Sequence, residues 1–126
     1  MNTPAELKYS KEHEWVKLEG NIAYVGITDF AQSELGDIVY VDIENVGGNV
    51  SSGEVFGSIE AVKTVSDLFS PISGKIVEFN TNLESDPEKV NQDPYNEGWI
   101  IKIEASDLNE LNNLLTSSEY ISFIGK

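Results

Sequence analysis

Apolar and polar residues alternate in short runs along this chain, and turn residues separate the runs. Trp15 to Leu18 and Ile22 to Val25 flank Glu19-Gly20-Asn21, and Asp37 to Ile43 stops before Gly47-Gly48-Asn49. Glu54 to Val62, Val65 to Phe69, Gly74 to Phe79 and Trp99 to Ile103 continue the pattern, broken once by Ser70-Pro71-Ile72-Ser73. Alternation bounded by Gly, Pro, Asn and Ser predicts strands. About seven such strands predict a mainly β protein, an antiparallel β-sandwich or flattened barrel.

Helical signals are few. Thr28 is placed to cap a short helix through Phe30 and Leu35 that Gly36 ends, and Asp86-Pro87-Glu88 has the form of a brief turn. Ser106 precedes Leu108, Leu111, Leu114 and Leu115, which would share one face of a helix, and Ser117 would cap a last segment carrying Tyr120, Phe123 and Ile124. These C-terminal helices are expected to pack across the sheet. No linker or low-complexity segment interrupts residues 1–126, which suit one domain.

Two stretches repeat at a constant offset. Ile27-Thr28-Asp29-Phe30 resembles Val65-Ser66-Asp67-Leu68, and Gly36-Asp37-Ile38-Val39-Tyr40-Val41 resembles Gly74-Lys75-Ile76-Val77-Glu78-Phe79. Either two quasi-symmetric halves close on each other about a pseudo-two-fold axis, or strands resemble strands by chance. In this alignment Lys63 falls opposite Val25, so symmetry of the fold does not account for the lysine.

That lysine is the unusual residue. Ile59-Glu60-Ala61-Val62-Lys63-Thr64-Val65-Ser66-Asp67-Leu68 reads as two strands meeting at Lys63 with no Gly, Asn or Pro to turn them. An exposed lysine is ordinarily a solvated charge. Here uncharged Val62 and Thr64 flank it while Glu60 and Asp67 stand nearby, an arrangement suited to enzymatic acylation, which converts the ammonium into a long neutral tether. A Schiff-base lysine needs an apolar pocket, which a hairpin tip does not offer.

Composition narrows the classes of function. With 22 acidic and eight basic residues the formal charge is -14, which opposes binding to nucleic acid or an anionic membrane and favours basic protein partners. Every basic residue is a lysine, so the planar fork that clamps phosphate is missing. The chain has no Cys, which leaves any redox chemistry to a cofactor, Met1 aside. The N-terminus lacks the basic start and apolar stretch of a signal peptide, and a cytoplasmic protein is expected. Asp93-Pro94-Tyr95-Asn96-Glu97-Gly98 lacks the spacing of a calcium loop and reads as a turn before Trp99; no metal site is expected.

Gly57-Ser58-Ile59-Glu60-Ala61-Val62-Lys63-Thr64-Val65-Ser66-Asp67-Leu68-Phe69-Ser70-Pro71-Ile72-Ser73-Gly74 closely resembles the lipoyl-attachment motif of the glycine cleavage system H protein family. The resemblance extends over nearly the whole chain. It takes in Lys8 to Val16, Gly26 to Gln32, Leu35 to Val39, Asp93-Pro94-Tyr95, Gly98-Trp99 and Ile101-Lys102-Ile103. It implies the biotinyl/lipoyl-domain hybrid-motif fold, with a hairpin-borne lipoyl-lysine and a C-terminal helix.

It also implies a shuttle that is not itself an enzyme. In the family, lipoate joined by an amide to the residue matching Lys63 receives an aminomethyl group from glycine decarboxylase (P protein) as carbon dioxide leaves. Aminomethyltransferase (T protein) passes the methylene to tetrahydrofolate and frees ammonia, and dihydrolipoamide dehydrogenase (L protein) reoxidises the dithiol. Lipoate ligase or a lipoyl/octanoyl transferase attaches the cofactor. The resemblance further implies that Glu14 and Asp67 hold the loaded arm, with Glu12 standing where some relatives carry a small hydroxyl residue. The alternative for all three is that they are solvated surface charges.

Competing assignments remain at this level. His13, Ser10 and Asp67 have the residue types of a Ser-His-Asp site but no spacing that specifies one, and His13 is expected to pack or dock beside Trp15. Biotin carriers usually flank their lysine with methionines, and lipoyl domains of 2-oxoacid dehydrogenases commonly place Asp before it; here Val62 and Thr64 occupy those places. A closer rival is an H-like carrier serving lipoate transfer or another lipoate-dependent pathway.

Overall fold

The computed structural model describes residues 2–125; Met1, the one methionine, lies outside them. Nine strands, β1 (Lys8–Tyr9), β2 (Glu14–Glu19), β3 (Ile22–Ile27), β4 (Ile38–Ile43), β5 (Asn49–Val50), β6 (Val55–Ala61), β7 (Val65–Phe69), β8 (Gly74–Phe79) and β9 (Ile101–Ala105), form two antiparallel sheets. One has the order β1-β2-β3-β9-β8-β5, and the other β4-β6-β7. The strands beyond the expected seven are β1 and β5, two residues each, too short for an alternation to show.

The alternation read from sequence places the core. Val25, Ile76 and Ile103 of the larger sheet meet Val41, Ile59 and Leu68 of the smaller in one buried cluster, which Phe56, Ile72, Leu83 and Val90 extend. A second cluster of Leu7, Tyr9, Trp15 and Tyr120 lies toward the termini. Gly26 belongs to the fit between them, because a Cβ there would stand 2.7 Å from Trp15 Nε1. At the β2–β3 hairpin, Gly20 takes φ 66°, the left-handed conformation that tight hairpin turns require.

The internal repeat survives in part. β4 and β8 both carry a register shift at the corresponding residue, between Ile38 and Tyr40 and between Ile76 and Glu78, with Val39 and Val77 exposed in the two bulges. β4-β6-β7 therefore echoes β8-β9-β3. The other pair of stretches does not correspond: Thr28-Asp29-Phe30 begins helix α1 (Asp29–Leu35), whereas Ser66-Asp67-Leu68 stays in β7. Val25 accordingly lies in mid-strand, paired with Ile101, and is no counterpart of the Lys63 turn.

Helix α1 forms as expected, with Thr28 Oγ1 accepting from the Ala31 N–H and Gly36 ending it at φ 82°. Single turns α2 (Asn82–Ser85) and α3 (Lys89–Gln92) flank the Asp86-Pro87-Glu88 turn. The leucine-rich segment departs from expectation. It forms a 3-10 helix over Leu108–Asn113, capped by Asp107 and not by Ser106; Leu114 is extended, and Leu115 pairs with Tyr9. The Leu115 N–H and the Tyr9 N–H each donate to the other's carbonyl, which removes those groups from any helix. The last helix, α4 (Ser117–Phe123), is capped by Thr116 in a reciprocal box with Glu119, one residue before the expected Ser117. It packs on β1 through Tyr120, whose ring stacks on Tyr9 at 4.9 Å.

Candidate functional site

Lys63 occupies the tip of the β6–β7 hairpin. The Ala61 N–H donates to the Thr64 carbonyl at 2.8 Å, leaving Val62 and Lys63 as the two loop residues. Such loops usually need Gly or Asn at positive φ, yet the described non-glycine residues with positive φ are His13 and Asn45 alone. The tie comes from the neighbouring strand instead, since the Val62 N–H donates to the Asp37 carbonyl just before β4 at 3.1 Å. A third segment thus holds the turn that the local sequence does not specify.

The tip is presented to solvent. Val62 and Val65 on either side of Lys63 are 69% and 64% exposed, and Tyr40, aligned with Glu60 and through it with Val65, is exposed as well. Lys63 takes no part in the ion pairs among the described residues, which join Lys17 to Glu19, Lys89 to Glu97 and Lys102 to Glu78.

A cleft of about 260 Å³ opens beside β7. Glu12, His13 and Glu14 come to it from the bend into β2, Phe30, Ala31, Glu34 and Leu35 from α1, and Ser66, Asp67 and Leu68 from β7, with Ile27 and Ile59 completing the lining. Four carboxyl-bearing residues line it and no lysine does. The structure therefore brings together Glu12, Glu14 and Asp67, with Asp67 four residues along the hairpin from Lys63. At the rise of a strand that interval is about 13 Å.

The acids differ in kind. Glu12 and Asp67 are exposed, whereas Glu14 is 2% exposed. One Glu14 oxygen accepts from Ser10 Oγ at 2.7 Å, and the other accepts from the Phe69 N–H at 3.3 Å. Burial pushes the Glu14 carboxyl up to about 8; the Ser10 and Phe69 hydrogen bonds oppose that rise, and the charge of Glu12 adds to it. A carboxyl without a counter-charge, at the wall of an acidic cleft, is suited to receiving a cation.

Ser10, His13 and Asp67 form no catalytic triad, since the Ser10 hydroxyl serves Glu14. The His13 ring lies against Phe30, Tyr120 and Phe123, with Nδ1 2.9 Å from the Tyr120 hydroxyl, and not beside Trp15 as expected. Trp15 packs on Tyr95 and donates its indole N–H to the Pro94 carbonyl in the turn before Trp99. Sequence reasoning missed Glu34, Phe30 and Ser10 as parts of the site. Phe30 and Glu34 are four apart in α1 and so share a face, a signal the sequence did carry; Ser10 meets Glu14 across a bend in which His13 adopts φ 72°. A larger cleft, about 470 Å³ between Tyr24, Asn80, Tyr95 and Trp99, contains no residue of the Lys63 hairpin, so size does not choose the site.

The sequence model described as glycine cleavage H-protein matches residues 7–126. The chain belongs to that family. It is 60% identical over 122 residues to the glycine cleavage system H protein of Symbiobacterium thermophilum, covering 97% of this chain and 95% of that one. It is 56% identical over 126 residues to that of Geobacillus thermodenitrificans, covering 100% and 99%. Among solved structures, a glycine cleavage system H protein from Mycobacterium marinum superposes with a TM-score of 0.89 at 41% identity, covering 98% of this chain and 99% of that one. The glycine cleavage H-protein family thus accounts for the mainly β two-sheet architecture with its short helices and C-terminal helix. No helix among the described residues is long and apolar enough to cross a membrane.

Proposed function

We propose that residues 1–126 act as one carrier domain of the glycine cleavage system, with lipoate attached to Lys63. The chain is a carrier and not a catalyst. The observation that supports this reading best is the Lys63 amine, unpaired with the described carboxylates, on a solvent-facing tip that the Asp37 carbonyl ties down, on the hairpin whose strand β7 lines a cleft with no lysine in its wall. A lipoyl group bound there supplies the disulfide and thiol chemistry that a Cys-free chain cannot, for carriage of an aminomethyl group. Lys63 provides the anchoring amine, and the rigid hairpin sets where the tether begins. Glu14 and Asp67 would accept hydrogen bonds from a carried ammonium, whose charge would offset the desolvation of Glu14. Glu12 lies at the mouth and adds field more than contact. The partners on this reading are glycine decarboxylase, aminomethyltransferase and dihydrolipoamide dehydrogenase, with lipoate ligase or a lipoyl/octanoyl transferase for attachment.

The test loads the lipoylated protein with glycine and glycine decarboxylase, then follows ammonia release to water without aminomethyltransferase. The wild type gains the mass of an aminomethyl group and holds it. Glu14→Gln with Asp67→Asn keeps size and removes charge; each charge-assisted bond lost costs on the order of 1 kcal/mol at a site open on one side, so ammonia is released faster. Release at the wild-type rate would reduce both acids to surface charges.

A further inference from the structure

The cleft is lined by pieces of chain that meet at one hydroxyl. Tyr120, fully buried in α4, places its oxygen 2.9 Å from His13 Nδ1 and 2.7 Å from Thr28 Oγ1. His13 lines the cleft directly. Thr28 caps α1 by accepting from the Ala31 N–H at 3.1 Å, and α1 contributes Phe30, Ala31, Glu34 and Leu35 to the same lining. The Thr28 hydroxyl accepts from the Ala31 N–H and keeps a second lone pair as well as its hydrogen, so the Tyr120 hydroxyl bridges Thr28 Oγ1 and His13 Nδ1 in either donor order.

Burial lowers the proton affinity of His13 and keeps it neutral, while Glu12 and Glu34 pull the other way. The other charged or titratable groups around this unit are Glu14 and Tyr95, whose charges act on Tyr120, Tyr9, whose ring stacks on it, and Lys11, whose ammonium lies 6.0 Å above the Phe123 ring. The His13 backbone, at φ 72°, is in a conformation that a residue with a Cβ holds only when its surroundings fix it. Its backbone is tied on both sides, the His13 N–H donating to the Ser10 carbonyl at 3.1 Å and its carbonyl accepting from the Thr28 N–H at 3.0 Å, and the Tyr120 hydroxyl and flanking rings hold the imidazole.

We propose that Tyr120 is a positioning residue for the carrier cleft: its hydroxyl joins His13 to the cap of α1 and so keeps the lining closed around the carried ammonium. This rests on the reading of the cleft as the seat of that ammonium. Nothing in the role requires Tyr120 to touch the arm. The C-terminal helix thereby serves the site from behind.

Tyr120→Phe keeps the ring stacked on Tyr9 and removes only the hydroxyl. Tyr9→Phe is the control, since it deletes a hydroxyl from the same stacked pair, one that donates to the Pro4 carbonyl and touches no cleft residue. Both variants are studied where circular dichroism shows them folded. The single histidine makes the first readout clean: the imidazole proton signals of the unlipoylated protein are titrated by NMR. Tyr120→Phe removes the hydroxyl that pairs with His13 Nδ1, so the His13 titration shifts from its wild-type position; Tyr9→Phe leaves it in place. The second readout is ammonia release from the loaded protein, about threefold to tenfold faster in Tyr120→Phe, the range expected for one net hydrogen bond, and unchanged in Tyr9→Phe. A Tyr120→Phe protein that matches the wild type in both readouts overturns the proposal. Equal changes in both variants also overturn it, because they would report general loosening. If wild-type protein never gains lipoyl mass, the carrier reading fails instead, and the titration still decides whether Tyr120 holds His13.

Discussion

Glu14 holds a carboxyl where the fold supplies no counter-charge, and that makes its titration informative. Its folded affinity for a proton is pushed to about 8 from an ordinary 4.5. The stability this group contributes is therefore complete below its unfolded value and is lost as pH rises through about 8. Glu14→Gln is neutral throughout, so the wild type loses melting temperature relative to the variant between about pH 5 and about pH 9. A constant difference across that window would show Glu14 titrating as a solvated acid. His13 runs the other way: lowered by burial, it costs stability as pH falls through its ordinary range near 6.5. At this scale the sequence made Lys63 legible, because apolar neighbours and a missing turn residue are local facts. It did not disclose the Asp37 carbonyl that holds the turn or the Ser10 hydroxyl that holds Glu14, since both depend on tertiary approach.

Among the elements, those with long alternation were legible and those fixed by single contacts were not. β3 and β6 follow their apolar period, β4 and β8 follow it up to their bulges, and α1 follows its cap and its terminal glycine. The 108–115 leucines have helical spacing, yet the exchange of backbone hydrogen bonds between Leu115 and Tyr9 ends the helix early. The start of α4 gives a direct comparison. Thr116→Ala removes the bond from the Glu119 N–H at 3.2 Å and should cost about 1 kcal/mol. Ser117→Ala loses only the hydroxyl's bond to the Thr3 carbonyl and should cost less. Chemical denaturation of the two variants checks the order; a larger loss at Ser117 would return the cap to that residue. Because α4 carries Tyr120, Thr116→Ala should also weaken the cleft.

For the whole molecule, two unequal sheets make a rigid base from which one short hairpin projects. Their partial symmetry, read in the matched bulges at Val39 and Val77, extends to three strands of each sheet and leaves the lysine without a counterpart. The formal charge of -14 acts at this scale and over a distance that salt controls. Association with glycine decarboxylase should change in rate with ionic strength between about 0.05 and 0.5 M, since the screening length falls severalfold as salt rises. Stopped-flow rates indifferent to salt would leave the acidic surface with a role in solubility alone. Charge was legible from composition; that the exposed Tyr40, Val62 and Val65 gather around Lys63 was not, because it depends on the pairing of β4 with β6.

The central claim is that one amine of eight carries the cofactor, and peptide mass mapping tests it most directly. Protein incubated with lipoate, ATP and lipoate ligase should gain one lipoyl amide, located on the peptide containing Lys63, while Lys63→Arg folds with the same circular dichroism spectrum and gains none. A lipoyl adduct on Lys75 or Lys102, or a wild-type protein that stays unmodified under conditions that lipoylate an established carrier, would contradict the account.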